Sequence, residues 1–177
     1  MNRIKYFFVL VIAKLTGRGN DYIVKQFRKL GMNIGEGTHI FTNITAEPYL
    51  IEIGSNTTIS TNVSFITHDA SVGVFLGREN KSDICGRISI GNNCFIGNNS
   101  ILLYGISLPD RTLVASGSVV TKSVSESGCI LGGNPARVIG RVDDFLDKNK
   151  DLFLSLQGKS SKEKKEIILQ SNKLARR

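Results

Sequence analysis

The chain predicts a mainly β fold, a parallel β-helix of hexapeptide repeats with N-terminal helices and a C-terminal helical tail. Three observations predict it. Aliphatic residues recur every six positions at Ile90, Ile96, Leu102, Leu108, Val114 and Val120. Small residues follow several of them (Gly91, Gly97, Ala115), and others hold the fifth position of a hexad (Cys94, Ser100, Ser118). The same beat sounds earlier, at Ile34-Gly35, Ile40, Ile53-Gly54, Ile59-Ser60 and Phe65. A period of six fits neither an α-helix nor an alternating hairpin sheet. It fits a coil in which each hexad makes one short strand and one turn. Neighbouring coils bury the inward aliphatic residue, so a single repeat does not fold alone.

Residues 1–33 form the N-terminal helical segment. Asn20 or Asp21 is a candidate cap for its second helix, in which Tyr22, Ile23, Phe27 and Leu30 share a face before Gly31 ends it. Residues 6–13 are apolar and flanked by Arg3, Lys5, Lys14 and Arg18. That run is well short of the ~18–20 residues that span a bilayer. Three readings stay open: a helix packed on the coil, an interfacial membrane helix, or a signal peptide, although no small-x-small cleavage site follows.

The repeat domain occupies residues 34–140. Its register slips at Glu47-Pro48-Tyr49. From Phe65 to Ile90 is 25 positions, one more than four hexads, so residues 67–87 are expected to leave the coil as a loop. Loops on a rigid scaffold commonly carry chemistry. The regular coil then runs from Ile88 to about Val124. Residues 141–177 form a helical, basic tail, with Phe145, Leu146, Leu152, Phe153 and Leu156 as a packing face and helical character around Ile167, Ile168 and Leu169.

The 177 residues are enough for one domain with a core, and the formal net charge is +8. Seven Lys/Arg against one Asp give residues 1–33 a net +6, whereas six basic and eight acidic residues leave 34–140 at −2. The remaining +4 lies in the tail. A near-neutral coil argues against nucleic acid as a partner, which needs a basic stripe on the folded surface. Basic ends suit peripheral contact with an anionic membrane or acidic glycans. Cys85, Cys94 and Cys129 form no zinc spacing and no disulfide framework; they read as core thiols and suit a reducing cytoplasm.

There are two histidines, His39 and His68, one fewer than a three-imidazole zinc site needs, and no metal is expected. His68 stands in the stretch Val63-Ser64-Phe65-Ile66-Thr67-His68-Asp69, where the coil breaks into the loop. A neutral imidazole is a suitable general base for a hydroxyl or amine. It needs a partner on its other nitrogen, and Asp69, another carboxylate or a backbone carbonyl would serve. His39 has no comparable neighbours and reads as structural or exposed.

The hexads, the Thr67-His68-Asp69 triplet, Gly117-Ser118-Val119-Val120-Thr121-Lys122 and Gly133-Asn134-Pro135-Ala136-Arg137-Val138 together resemble the hexapeptide-repeat acyltransferases. The resemblance covers about residues 30–140. Phe27-Arg28-Lys29-Leu30-Gly31 and Pro48-Tyr49-Leu50-Ile51-Glu52-Ile53-Gly54 look most like members that modify bacterial surface polysaccharides. The resemblance implies a left-handed coil, a homotrimer with sites between subunits, and acetyl-CoA as co-substrate. It implies His68 as the catalytic base, with Asp69 beside it, and direct transfer to the acceptor without an acyl-enzyme. The positions implied for the co-substrate are Gly97, Gly105, Ala115, Ser116, Ser118, Thr121, Lys122, Asn134, Pro135 and Arg137, with Lys122 and Arg137 suited to phosphate. Asn62 and Tyr104 are candidates for the acceptor; Tyr104-Gly105 replaces the family's usual Pro-Gly. The expected reaction is O-acetylation of a sugar hydroxyl in a surface polysaccharide or its precursor, in the cytoplasm and against the inner membrane face. N-acetylation of an amino sugar or nucleotide-sugar, acetylation of a small xenobiotic, and a non-catalytic scaffold stay open.

Overall fold

The computed structural model describes residues 1–44, 47–77, 79 and 81–175. Arg78 and Asn80 of the expected loop, and Arg176 and Arg177 of the tail, lie outside the described residues. Two helices lead, α1 (Arg3–Leu15) and α2 (Gly19–Lys29). The strands that follow are β1 (Asn33–Ile34), β2 (His39–Ile40), β3 (Ile51–Ile53), β4 (Thr58–Ile59), β5 (Ser64–Ile66), β6 (His68–Asp69), β7 (Ile84–Cys85) and β8 (Ile88–Ile90). Then come β9 (Phe95–Ile96), β10 (Ile101–Leu103), β11 (Ile106–Leu108), β12 (Leu113–Val114), β13 (Val119–Val120), β14 (Cys129–Gly133) and β15 (Ala136–Arg141). Helix α3 (Val72–Phe75) lies between β6 and β7, and α4 (Val142–Asn149) and α5 (Ser161–Gln170) follow the last strand.

The chain visits three parallel sheets in turn. The first is β1-β3-β8-β11, the second is β2-β4-β9-β12-β14, and the third is β5-β10-β13; antiparallel β15 extends the second sheet. Ile90 pairs with Leu108, Ile96 with Val114 and Leu102 with Val120, so one circuit takes 18 residues, or three hexads. Lower down, Ile34 pairs with Ile53 and Ile40 with Ile59, a circuit of 19. The extra residue falls with the 3₁₀ turn Pro48–Leu50, where the hexad slips. Phe65 pairs with Leu102 across 37 residues, one circuit plus a 19-residue excursion.

Stacking buries the hexad residues as the period requires. Ile90, Ile96, Leu102, Leu108, Val114 and Val120 are all 4 % exposed or less. Each such burial is worth about 1.5–3 kcal/mol. The turns between sheets bring backbone polar groups inside, and small hydroxyls satisfy them. Thr57 Oγ1 donates to Gly91 O (2.9 Å) and accepts from Cys94 N (3.0 Å), and Ser100 Oγ donates to Ala115 O (3.1 Å). Asn56, Asn62, Asn93 and Asn99 hold turn positions at φ 53–58°, a left-handed conformation that asparagine tolerates better than most residues.

Three expectations need correction. Neither Asn20 nor Asp21 caps α2, which begins at Gly19 with Arg18 at the N-cap. Asn20 instead donates to Ile40 O (2.9 Å) and accepts from Ile40 N (3.2 Å). Strand β2 is the edge of its sheet, and the amide pairs with backbone groups that no neighbouring strand reaches. Cys94 and Cys129 are buried, but Cys85 is exposed because it lies on the excursion, off the coil axis. The expected packing face of the tail is largely uncovered: Phe145, Leu146, Leu152 and Phe153 are all exposed. In α1, Val9 and Ala13 are buried, but Ile4, Phe7, Phe8, Ile12 and Leu15 are exposed, so only one face packs. Among the described residues no helix is long and apolar enough to cross a membrane.

Candidate functional site

The three sheets meet at three edges, and the edge between the third and first sheets carries the excursion. The chain leaves the coil after β5 and returns before β8. Gly86 N donates to Thr67 O (2.9 Å) to close the neck, and β6 pairs antiparallel with β7, which sets His68 opposite Cys85. His68 therefore stands at the base of the loop, anchored to the rigid coil on one side and exposed on the other.

One coil earlier on this edge stands Glu47. Its Oε2 lies 3.1 Å from His68 Nδ1 and accepts the hydroxyl hydrogen of buried Thr67. Glu47 N in turn donates to Thr67 Oγ1 (3.2 Å), so the carboxylate and the hydroxyl hold each other. The bond from Thr67, then that from His68, holds the Glu47 carboxyl below its usual range. The hydrogen bond to Glu47, then its charge, raises the His68 pKa above that of a free imidazole, with smaller contributions from Asp83 and Asp69. A carboxylate only accepts, so Nδ1 carries the proton in the neutral ring and Nε2 presents its lone pair outward.

Asp69 does not orient the imidazole. Its Oδ1 accepts from Ser71 N (2.9 Å), the main cause of its lowered pKa, and its Oδ2 accepts from Tyr104 OH (3.4 Å). Tyr104 belongs to the same edge one coil later, between β10 and β11, where Gly105 takes φ +76°. Thr121 and Lys122 follow β13 in the register of Leu103 and Tyr104, so they continue this edge upward.

The other expected positions lie elsewhere. Asn62, Gly97, Ala115, Ser116, Ser118, Asn134 and Pro135 stack along the edge between the second and third sheets. Asn62 Nδ2 donates to Asn99 Oδ1 (3.3 Å), and Gly117 N donates to Asn98 O (2.8 Å). Asn62 also lines a cleft of about 490 Å³ with Arg3, Tyr6, Thr42 and Asn43. Ser116 and Asn134 are exposed, and the Asn134-Pro135 peptide is cis. Ser118 is buried, with its hydroxyl donating to Ala115 O (2.7 Å) and accepting from Gly133 N (3.3 Å). Gly97 is buried under the next coil, where a Cβ would lie 2.6 Å from Ser116 N. Both therefore serve the stacking of coils. Arg137 projects from β15, donating to Ala136 O (2.9 Å). The third sheet separates the two edges, so one chain does not bring its two sets of residues together.

Glu47 is the residue that reading the sequence by hexads misses. With 18–19 residues per circuit, positions 47–50 lie beneath positions 66–68, a neighbourhood that exists only once the coil has closed. Among the described residues no group of His, Cys, Asp and Glu could hold a metal ion.

Comparison with known proteins agrees with the hexad coil. Residues 87–122 match a family model described as a hexapeptide repeat of succinyl-transferase. Protein CapG of Staphylococcus aureus is 41 % identical over 127 residues, covering 70 % of this chain and 73 % of that protein. The galactoside O-acetyltransferase of Escherichia coli is 31 % identical over 117 residues, 64 % of this chain and 57 % of the enzyme. A hexapeptide-repeat acetyltransferase from Vibrio cholerae, crystallised with acetyl coenzyme A, superposes with a TM-score of 0.57 at 28 % identity. That match covers 63 % of this chain, which spans about three fifths of the Vibrio chain (61 %). On the coil, its register and these relatives, the chain belongs to the hexapeptide-repeat acyltransferases.

Proposed function

We propose that this protein transfers acetyl from acetyl-CoA to a hydroxyl of a sugar, in a bacterial surface polysaccharide or its precursor. The observation that carries this reading is His68, held at Nδ1 by a carboxylate anchored on the coil and, among the described residues, without a partner at Nε2. Nε2 takes the acceptor's hydroxyl proton as that oxygen attacks the thioester carbonyl carbon. Backbone N–H groups of the coil suit the resulting oxyanion. As the intermediate collapses, the C–S bond breaks, and the imidazolium returns its proton to the departing CoA thiolate. No nucleophilic side chain is required. The sugar acceptor is supported by the E. coli relative, which is named for O-acetylation of galactosides.

The division of residues between two edges supports a shared site. In a left-handed coil assembled as a trimer, the His68 edge of one copy faces the Ala115–Ser116 and Asn134 edge of the next. Acetyl-CoA lies in that groove, its pantetheine against exposed Ser116 and Gly117 and its phosphates near Lys122 and Arg137. The polar cleft beside Asn62 suits an acceptor with several hydroxyls, and Tyr104 stands over the reacting end.

The test is CoA release from acetyl-CoA across a panel of sugar acceptors, using wild type and His68→Ala. Acceptor-dependent release that the variant loses supports the reading, and a product acetyl group freed by mild alkali identifies an ester. An alkali-stable product would turn the reading to amine acetylation. Absence of CoA binding would turn it to a scaffold.

A further inference from the structure

We infer that the outer face of α1 docks on an anionic lipid bilayer, laying the helix along the membrane surface. The inference stands on the N-terminal helices alone and does not depend on acetyl transfer. Helix α1 packs on the body through Val9, Ala13 and half-buried Tyr6, whose ring lies 6.3 Å from that of Phe27. The opposite side carries Ile4, Phe8, Val11 and Leu15 at i, i+4, i+7 and i+11, a single stripe at helical spacing. Phe7 and Ile12 widen it on either side. Ile4 is 70 % exposed, Phe7 61 %, Phe8 56 % and Leu15 81 %. A water-facing helix reverses this arrangement, and a contiguous apolar patch of this kind marks a contact surface. At about 1.5 Å per residue the 13-residue helix is roughly 20 Å long. It lies on a bilayer rather than across the ~30 Å hydrocarbon core.

Charge selects the occupant. Helix α1 contains no acidic residue; Lys5 stands on one margin of the apolar face, and Arg3 and Lys14 stand on the other. Arg18 in the following turn and Lys25 and Lys29 of α2 line an adjoining groove with Asp21 as its one carboxylate, and Lys29 joins that groove to Lys5. A groove of about 400 Å³ between the two helices sets Lys5 and Lys29 beside Phe8 and Leu30. Two ammonium groups over an apolar floor match a lipid phosphate with its acyl chain below it. A second copy matches poorly, because its own rim of lysines and arginines would face this one.

The test uses the full-length protein and sedimentation with vesicles of phosphatidylcholine containing about one third phosphatidylglycerol. The protein is expected to sediment with these vesicles, and much less with pure phosphatidylcholine or at high salt. Phe7→Ser/Phe8→Ser and Lys5→Gln/Lys14→Gln should each lower the bound fraction roughly tenfold, with circular dichroism and oligomeric mass unchanged. Phe8→Trp gives a second readout: its emission should shift to the blue with anionic vesicles. Wild type left in the supernatant with both vesicle types would overturn the inference. So would undiminished binding by Phe7→Ser/Phe8→Ser. A changed oligomeric mass in that variant, without vesicle binding by wild type, would reassign the face to contact between copies and also overturn it.

Discussion

At the scale of the residue, the proposed chemistry rests on the pair Glu47–His68. His68→Ala removes the base and should lower kcat about 10³-fold with little change in acetyl-CoA affinity, as steady-state kinetics and a CoA titration would show. The pH profile separates Glu47 from Asp69. Protonated His68 cannot act as base, so kcat/KM falls on the acid side through its pKa, which the Glu47 hydrogen bond and charge raise. Glu47→Gln removes the charge and leaves only a neutral hydrogen bond to Nδ1; the acid limb should move to lower pH while the plateau drops ~10–100-fold. Asp69→Asn should move the limb less, because its carboxylate is bonded to Ser71 and Tyr104. A Glu47→Gln profile with an unmoved limb would show that Glu47 does not set the imidazole's protonation. His68 was legible in the sequence because it stands where the period breaks. Its partner was not, because a contact across 21 positions exists only after the coil has closed one circuit.

At the scale of the element, the hexad decides stability. Leu102 is fully buried between β5 and β13, so Leu102→Ala should cost about 2–5 kcal/mol in denaturant unfolding. Gly97→Ala sets a methyl group against Ser116 N and Val114 O, which belong to backbone that cannot move without parting two coils. A cost of about 1–3 kcal/mol is expected, measurable by the same unfolding curve. Such a loss with unchanged affinity for CoA would assign Gly97 to stacking. Strand positions were readable from spacing because each inward aliphatic residue is required locally. The role of Asn20 was not: α2 meets the free edge of β2 only through the packing of helix on coil. The tail's apolar face was readable as apolar; that it stays largely exposed was not, because its burial depends on how the tail packs on the coil.

At the scale of the whole molecule, the two edges make a prediction about assembly. Light scattering after size exclusion should give the mass of three copies. Mixing His68→Ala with Ser116→Trp, which blocks the other edge, should restore about a quarter of wild-type activity per site in randomly reassembled trimers. No recovery would place both edges of each site on one chain. The sequence by itself determined the period, hence the coil, its buried row and the point where the loop leaves it, because these follow from residues six apart. Tertiary structure alone decided which carboxylate holds the imidazole, which small residues are sealed between coils, and that the expected site residues fall on two separate edges. Those outcomes depend on how circuits stack, and a stack places side by side residues that no local spacing relates.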